Sequence, residues 1–138
     1  MKSWICAAGG AIGSFITYLV GGWDIAVITL IIFMCIDYIS GWVCAAIFHK
    51  SQKTESGGYD SKVGFKGLLK KVMIILLIIV AHCLDNILGI NYVRSGVCIA
   101  FMVNEGMSIL ENAGLMGVPL PNVITKALDV LESKSNKG

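Results

Sequence analysis

The sequence predicts an all-α integral membrane protein, with three to four hydrophobic helices followed by a C-terminal amphipathic helix. Three observations lead there. Of 138 residues, 56% are hydrophobic and only 14% charged, whereas an average soluble domain is nearer a quarter charged. Mean hydropathy is +0.78, so a water-soluble fold of this size lacks the polar groups to cover itself. The apolar residues are also gathered into blocks of roughly the 20 residues that cross a bilayer as a helix. The same composition excludes disordered and collagen-like chains.

The first block, residues 3–23, carries no charge over Ser3–Trp23. As a helix it is about 30 Å long, which matches the hydrocarbon thickness. Lys2 alone supplies a basic flank, and Gly21-Gly22-Trp23-Asp24 does not resemble a cleavage site. The block therefore reads as a retained span rather than a leader. Gly9, Gly13, Thr17 and Gly21 recur every four residues and form one ridge of small side chains, widened by Gly10 and Ser14. Inside a bilayer such a ridge lets another helix backbone approach closely. It is a candidate self-association surface, repeated more weakly at Gly41 and Ala45. The alternative reading is packing within one chain.

The second block, residues 25–48, has a β-branched, apolar core, too long for a strand. Near its middle are Asp37 and Ser40. The connector 49–71 holds Lys50, Lys53, Lys62, Lys66, Lys70 and Lys71 against Glu55 and Asp60. A basic loop of this kind is expected on the cytoplasmic side. A helix is expected to start at Asp60 or Ser61, with Lys62, Lys66, Lys70 and Lys71 among lipid headgroups.

The third block, residues 72–90, is aliphatic first and then carries His82, Asp85 and Asn86. The fourth, residues 95–112, is apolar early and amphipathic late, with Glu105 and Ser108 on the face that also holds Arg94 and Asn112. Whether this block spans decides between three and four crossings. Gly114, Gly117, Pro119 and Pro121 end it. These blocks and the connector form an expected membrane domain, 1–121. Residues 122–138 are expected to be an amphipathic helix, on the membrane surface or on a partner, ending in a mobile tail.

An ionisable group costs about 2.5–3.5 kcal/mol at the bilayer centre on insertion scales. The candidates Asp37, Ser40, His82, Asp85, Asn86, Glu105 and Ser108 should therefore face one another, another subunit or water. Only the last two arrangements make a pore. The plainer alternatives are a structural hydrogen bond for Asp37 and a pair between Asp85 and Arg94. The five cysteines lie in apolar runs without a CxxC, so neither a disulfide framework nor a metal site is expected. No GxSxG, HExxH or phosphate-loop motif is present. No catalysis, cofactor or nucleic-acid partner is expected.

One stretch is more specific than any single feature above. Asn104-Glu105-Gly106-Met107-Ser108-Ile109-Leu110-Glu111-Asn112, followed by Gly117-Val118-Pro119-Leu120-Pro121, resembles the signature of phage holins of the toxin-secretion and phage-lysis type from Gram-positive hosts. Asp37-Tyr38-Ile39-Ser40-Gly41 and Ser61-Lys62-Val63-Gly64-Phe65-Lys66-Gly67 are similar to the same family. The resemblance covers residues 20–132. It implies a non-enzymatic protein of the bacterial cytoplasmic membrane that forms homo-oligomers, permeabilises the bilayer and releases an endolysin or toxin cargo. The motif residues it singles out are Asn104, Glu105, Ser108, Glu111, Asn112, Pro119 and Pro121. Departures from the family are the mildly basic tail and the absence of a second methionine before Met34. Two other readings stay open: a small proton-coupled transporter using Asp37, and an antiholin or regulatory membrane protein.

Overall fold

The computed structural model describes residues 1–137, and among these it contains helices and no strand. The five helices are α1 (Lys2–Val20), α2 (Ile25–Ala46), α3 (Ser61–Leu88), α4 (Val93–Leu115) and α5 (Asn122–Lys137). The first four are long and apolar enough to cross a membrane. The fourth block, least secure from its hydropathy, thus forms an unbroken helix of 23 residues, about 34 Å long.

Local chemistry sets the helix ends. The Asp24 carboxylate accepts from Val27 N at 3.1 Å and starts α2. The Asp60 carboxylate accepts from Lys62 N at 2.8 Å and starts α3. Gly21 and Gly89 close α1 and α3 at φ 82° and 66°, a left-handed conformation that glycine adopts without steric cost. The lysine-bearing lead-in and the third apolar block prove to be one helix. At 28 residues and about 42 Å, α3 is longer than the hydrocarbon layer, so it reaches past one edge of it.

The helices α2, α3 and α4 alternate in direction and form the bundle. The main interface is between α2 and α4, while α2 and α3 touch only sparsely. Val27, Leu30, Met34, Ile74, Ile78, Cys98 and Met102 make the core, with Val20 at its edge. This apolar core fills the part of the bundle remote from the connector. It ends at Met34, one turn short of Asp37.

The C-terminal helix differs from the sequence expectation. The amphipathic α5 packs on α4 of its own chain. Its Leu128 is buried against Gly106, where an added Cβ would lie 2.8 Å from Leu128 Cδ2 and 3.5 Å from Phe33 Cε2. The helix also continues through Ser133–Lys137, the stretch expected as a tail; Gly138 lies outside the described residues. By contrast, α1 packs mainly along α3, and only its last residue, Val20, is buried, where it joins the core and its carbonyl accepts from Arg94 of α4. Nothing lies within 4 Å of a Cβ built on Gly9, Gly10 or Gly13.

Candidate functional site

The polar faces of the bundle helices meet one another inside a single chain. From α3, Lys71 extends its ammonium between Asp37 of α2 and Glu105 of α4. The Nζ atom lies 2.7 Å from Asp37 Oδ2 and 2.6 Å from Glu105 Oε2. The three side chains are only 13%, 8% and 5% exposed. One ammonium shared by two carboxylates leaves a net negative charge when all three are ionised. Beside them, Asn112 Nδ2 donates to Ser40 Oγ at 3.0 Å and approaches Asp37 O and Oδ1 at 3.5 Å each. Ser40 Oγ in turn donates to Asp37 O at 3.1 Å. Among the described residues, every buried side-chain nitrogen or oxygen has a hydrogen-bond partner. A polar face that is costly in lipid is thus satisfied without a second subunit.

Above the triad, toward the connector, is a cavity of about 720 Å³ between α2, α3 and α4. Asp37, Lys71, Glu105 and Ser108 line its inner part, and Thr54 and Tyr59 of the connector line its outer part. A second cavity of about 320 Å³ lies on the other flank of α3, between α2 and α3, with an apolar lining. Tyr38 and Lys71 border both cavities.

The remaining candidates are at the opposite end. The Asp85 carboxylate accepts from Val93 N at 2.9 Å and Arg94 N at 3.0 Å, and so holds the start of α4. The expected pair of Asp85 with the Arg94 side chain does not form. The guanidinium points instead to the α1–α2 turn. Its Nε donates to Val20 O at 2.5 Å, its Nη2 to Gly22 O at 2.8 Å and its Nη1 to Asp24 Oδ2 at 2.6 Å. The Arg94 hydrogen bond holds the Asp24 carboxyl below the usual carboxylate range, against a smaller opposing effect of burial. His82 packs on Gly21, where an added Cβ would lie 2.5 Å from its Nδ1, and its Nε2 is 3.3 Å from Asn86 Nδ2. His82, Asp85 and Asn86 therefore do not join the triad.

The small-residue positions also divide. Gly41 and Ala45, expected to add to self-association, are turned inward. A Cβ on Gly41 would lie 3.6 Å from Asn112 Nδ2, and Ala45 is buried at the larger cavity. In α1, Thr17 Oγ1 donates to Gly13 O at 2.7 Å and accepts from Trp23 Nε1 at 2.6 Å. Gly21 is the helix cap, so the open part of the ridge is Gly9, Gly10 and Gly13. Lys62, Lys66 and Lys70 are exposed on α3, whereas Lys71, grouped with them from the sequence, is drawn into the bundle. The signal was present: Lys62, Lys66 and Lys70 are four residues apart, and Lys71 lies about 100° round the helix from Lys70. Of the motif residues, Asn104, Glu105 and Ser108 line the cavity and Asn112 bonds Ser40. Glu111, Pro119 and Pro121 are exposed.

Four apolar helices and a buried ion cluster define a multi-pass membrane protein. The comparisons with known proteins place it more narrowly. The model of the bacteriophage holin family matches residues 14–133, and the chain belongs to that family. It is 32% identical over 109 residues to a probable holin of Bacillus phage phi105, covering 78% of this chain and 75% of that protein. It is 33% identical over 136 residues to an uncharacterized protein of Clostridium perfringens, covering 96% and 95% of the two chains. An uncharacterized protein of Listeria monocytogenes is 36% identical over 126 residues, covering 91% and 84%. No solved structure matches the chain.

Proposed function

We propose that the protein oligomerises in the bacterial cytoplasmic membrane, with its connector on the cytoplasmic side. There it permeabilises the bilayer without catalysis, and a cytosolic endolysin or toxin leaves through the lesion. The single observation that carries this reading, beside family membership, is the contrast between α1 and the bundle. The bundle's polar groups are internally satisfied. The Gly9–Gly13 face of α1, by contrast, meets nothing within 4 Å. Association then begins through α1, since close backbone packing is a main source of helix affinity in lipid. The lesion opens later, when crowding makes it favourable for Lys71 to leave Asp37 and Glu105 and for their faces to take water.

The test is induction in a bacterium, recording membrane potential and viability together, with and without a cytosolic wall hydrolase. The reading expects a lag, abrupt depolarisation, and lysis only with the hydrolase. Sustained growth with an intact potential at high expression overturns it. One observation favours a second reading. A cavity that reaches a buried carboxylate from one side also suits a proton-coupled transporter using Asp37. That reading expects tolerated expression and substrate flux abolished in Asp37→Asn.

A further inference from the structure

We propose that the cleft between α2 and α3 is a binding site for one anionic phospholipid from the leaflet facing the connector. Its headgroup phosphate would lie at Lys66 and Lys70, and an acyl chain in the apolar groove beyond Tyr38. Charge is the first argument. The lining of the larger cavity includes Lys53, Lys66, Lys70 and Lys71, with Asp37, Asp60 and Glu105 as its acids. Asp37 and Glu105 both hold Lys71. Asp60 caps α3 through Lys62 N. Among the described residues, Lys53, Lys66 and Lys70 have no carboxylate within ion-pair distance. The mouth of the cavity, with Lys53, Lys66 and Lys70 against Asp60, therefore carries net positive charge where headgroups lie, while the triad behind it is net negative. Basic pockets between membrane helices suit anionic headgroups.

The groove is the second argument, and it selects a lipid over free phosphate. The smaller cavity shares Tyr38 and Lys71 with the larger one. From there it is lined by Ile31, Met34, Ile39, Leu68, Val72 and Ile75. On α2 it extends from Tyr38 back to Ile31, about 10 Å away from the connector end. It thus starts level with the lysines, at Leu68 and Ile39, and runs deeper into the bilayer to Ile31 and Ile75, toward acyl-chain depth. The backbones of α2 and α3 approach each other closely at few points, which leaves room between their side chains on this flank. A cationic mouth adjoining an apolar slot, with Tyr38 and Lys71 between the two, suits a molecule with an anionic head and a hydrocarbon tail.

The experiment titrates purified protein in a neutral detergent with phosphatidylglycerol and reads retained adducts by native mass spectrometry. Phosphatidylcholine with the same chains and sn-glycerol 3-phosphate are the comparison ligands. Lys66→Ser with Lys70→Ser should weaken phosphatidylglycerol retention about thirtyfold, from two lost lysine–headgroup attractions. The charge-matched pair Lys50→Ser with Lys62→Ser, outside the cavity lining, should leave retention unchanged. Cys35 also lines the slot, and Cys35→Trp should reduce retention by filling it while keeping all the lysines. Equal retention of phosphatidylcholine overturns the site, as does an equal loss in the two lysine pairs. Displacement of the lipid by sn-glycerol 3-phosphate also overturns it, in favour of a soluble phosphate ligand.

Discussion

Lys71 and Asp37 stand thirty-four residues apart in the chain and 2.7 Å apart in space, and Glu105 lies a further thirty-four residues on from Lys71, at 2.6 Å. The ammonium is thus the common point of three helices. Removing one partner of a buried ion pair leaves an uncompensated charge and costs about 3–5 kcal/mol. Lys71→Met should therefore lower detergent-solubilised stability by about that amount. Adding Asp37→Asn and Glu105→Gln to Lys71→Met removes the stranded charges and should recover most of the loss. Thermal unfolding of the two variants side by side checks this. No recovery in the triple variant would mean that the loss comes from packing rather than charge.

In cells, the same Lys71→Met variant should shorten the lag before depolarisation, because the faces that the triad holds together then gain from taking water. The measurement is the time from induction to loss of potential at matched membrane abundance. An unchanged or longer lag would show that separation of the triad is not a step toward the lesion.

Gly106 is the position at which α5 meets the bundle. A Cβ there would lie 2.8 Å from Leu128 Cδ2, so the end of that side chain must turn aside. The cost is near the lower end of the about 1–3 kcal/mol of overpacking, and the gain in helix propensity of up to about 1 kcal/mol partly offsets it. Gly106→Ala should loosen α5 and raise amide exchange in Asn122–Lys137. Adding Leu128→Ala vacates the space, so the double variant should be less damaging than the sum of the single ones. Strict additivity would separate the two residues energetically.

The same two pairings show which parts of the protein were legible in the sequence. Each apolar block is close to a bilayer's thickness, and Gly21, Asp24, Asp60 and Gly89 mark ends of α1, α2 and α3, so hydropathy and end chemistry locate most of the helix ends. The triad is not legible in that way. Periodicity assigns Asp37, Lys71 and Glu105 to faces of their own helices and does not say which faces meet. Lys71 adjoins three lysines that do face outward, and its charge concealed its different angle. The docking of α5 depends on an absent side chain at Gly106, inside a stretch whose other residues drew attention as a motif. Arg94 reaches the α1–α2 turn because the α3–α4 turn brings it there, which is a property of tertiary structure.

Open space at Gly13 separates folding from association. Nothing lies within 4 Å of a Cβ at that position, and replacing glycine inside a helix gains up to about 1 kcal/mol of helix propensity. Gly13→Leu should therefore leave the thermal stability of the single chain equal or slightly higher, yet delay or abolish lesion formation. Thermal unfolding and induction timing, measured on the same variant, check the two halves. Killing on an unchanged schedule would remove α1 from the association surface.

At the opposite end, Arg94 and Asp24 make stability depend on acid. The guanidinium holds the Asp24 carboxyl below the usual carboxylate range. A group with a lowered folded pKa contributes stability that is fully present above its unfolded value and is lost as pH falls through its folded value. The contribution is modest, because the Asp24 side chain is 50% exposed and water screens the pair. Acidification from neutrality should thus leave stability level until the ordinary carboxylate range and then lower it. Asp24→Asn should be less stable at neutral pH and show a shallower acid limb. The amide can still accept from Val27 N, so the α2 cap is kept and the difference reports the charge. Unfolding temperature recorded against pH for both proteins checks this, and parallel acid limbs would assign the acid sensitivity to other carboxylates.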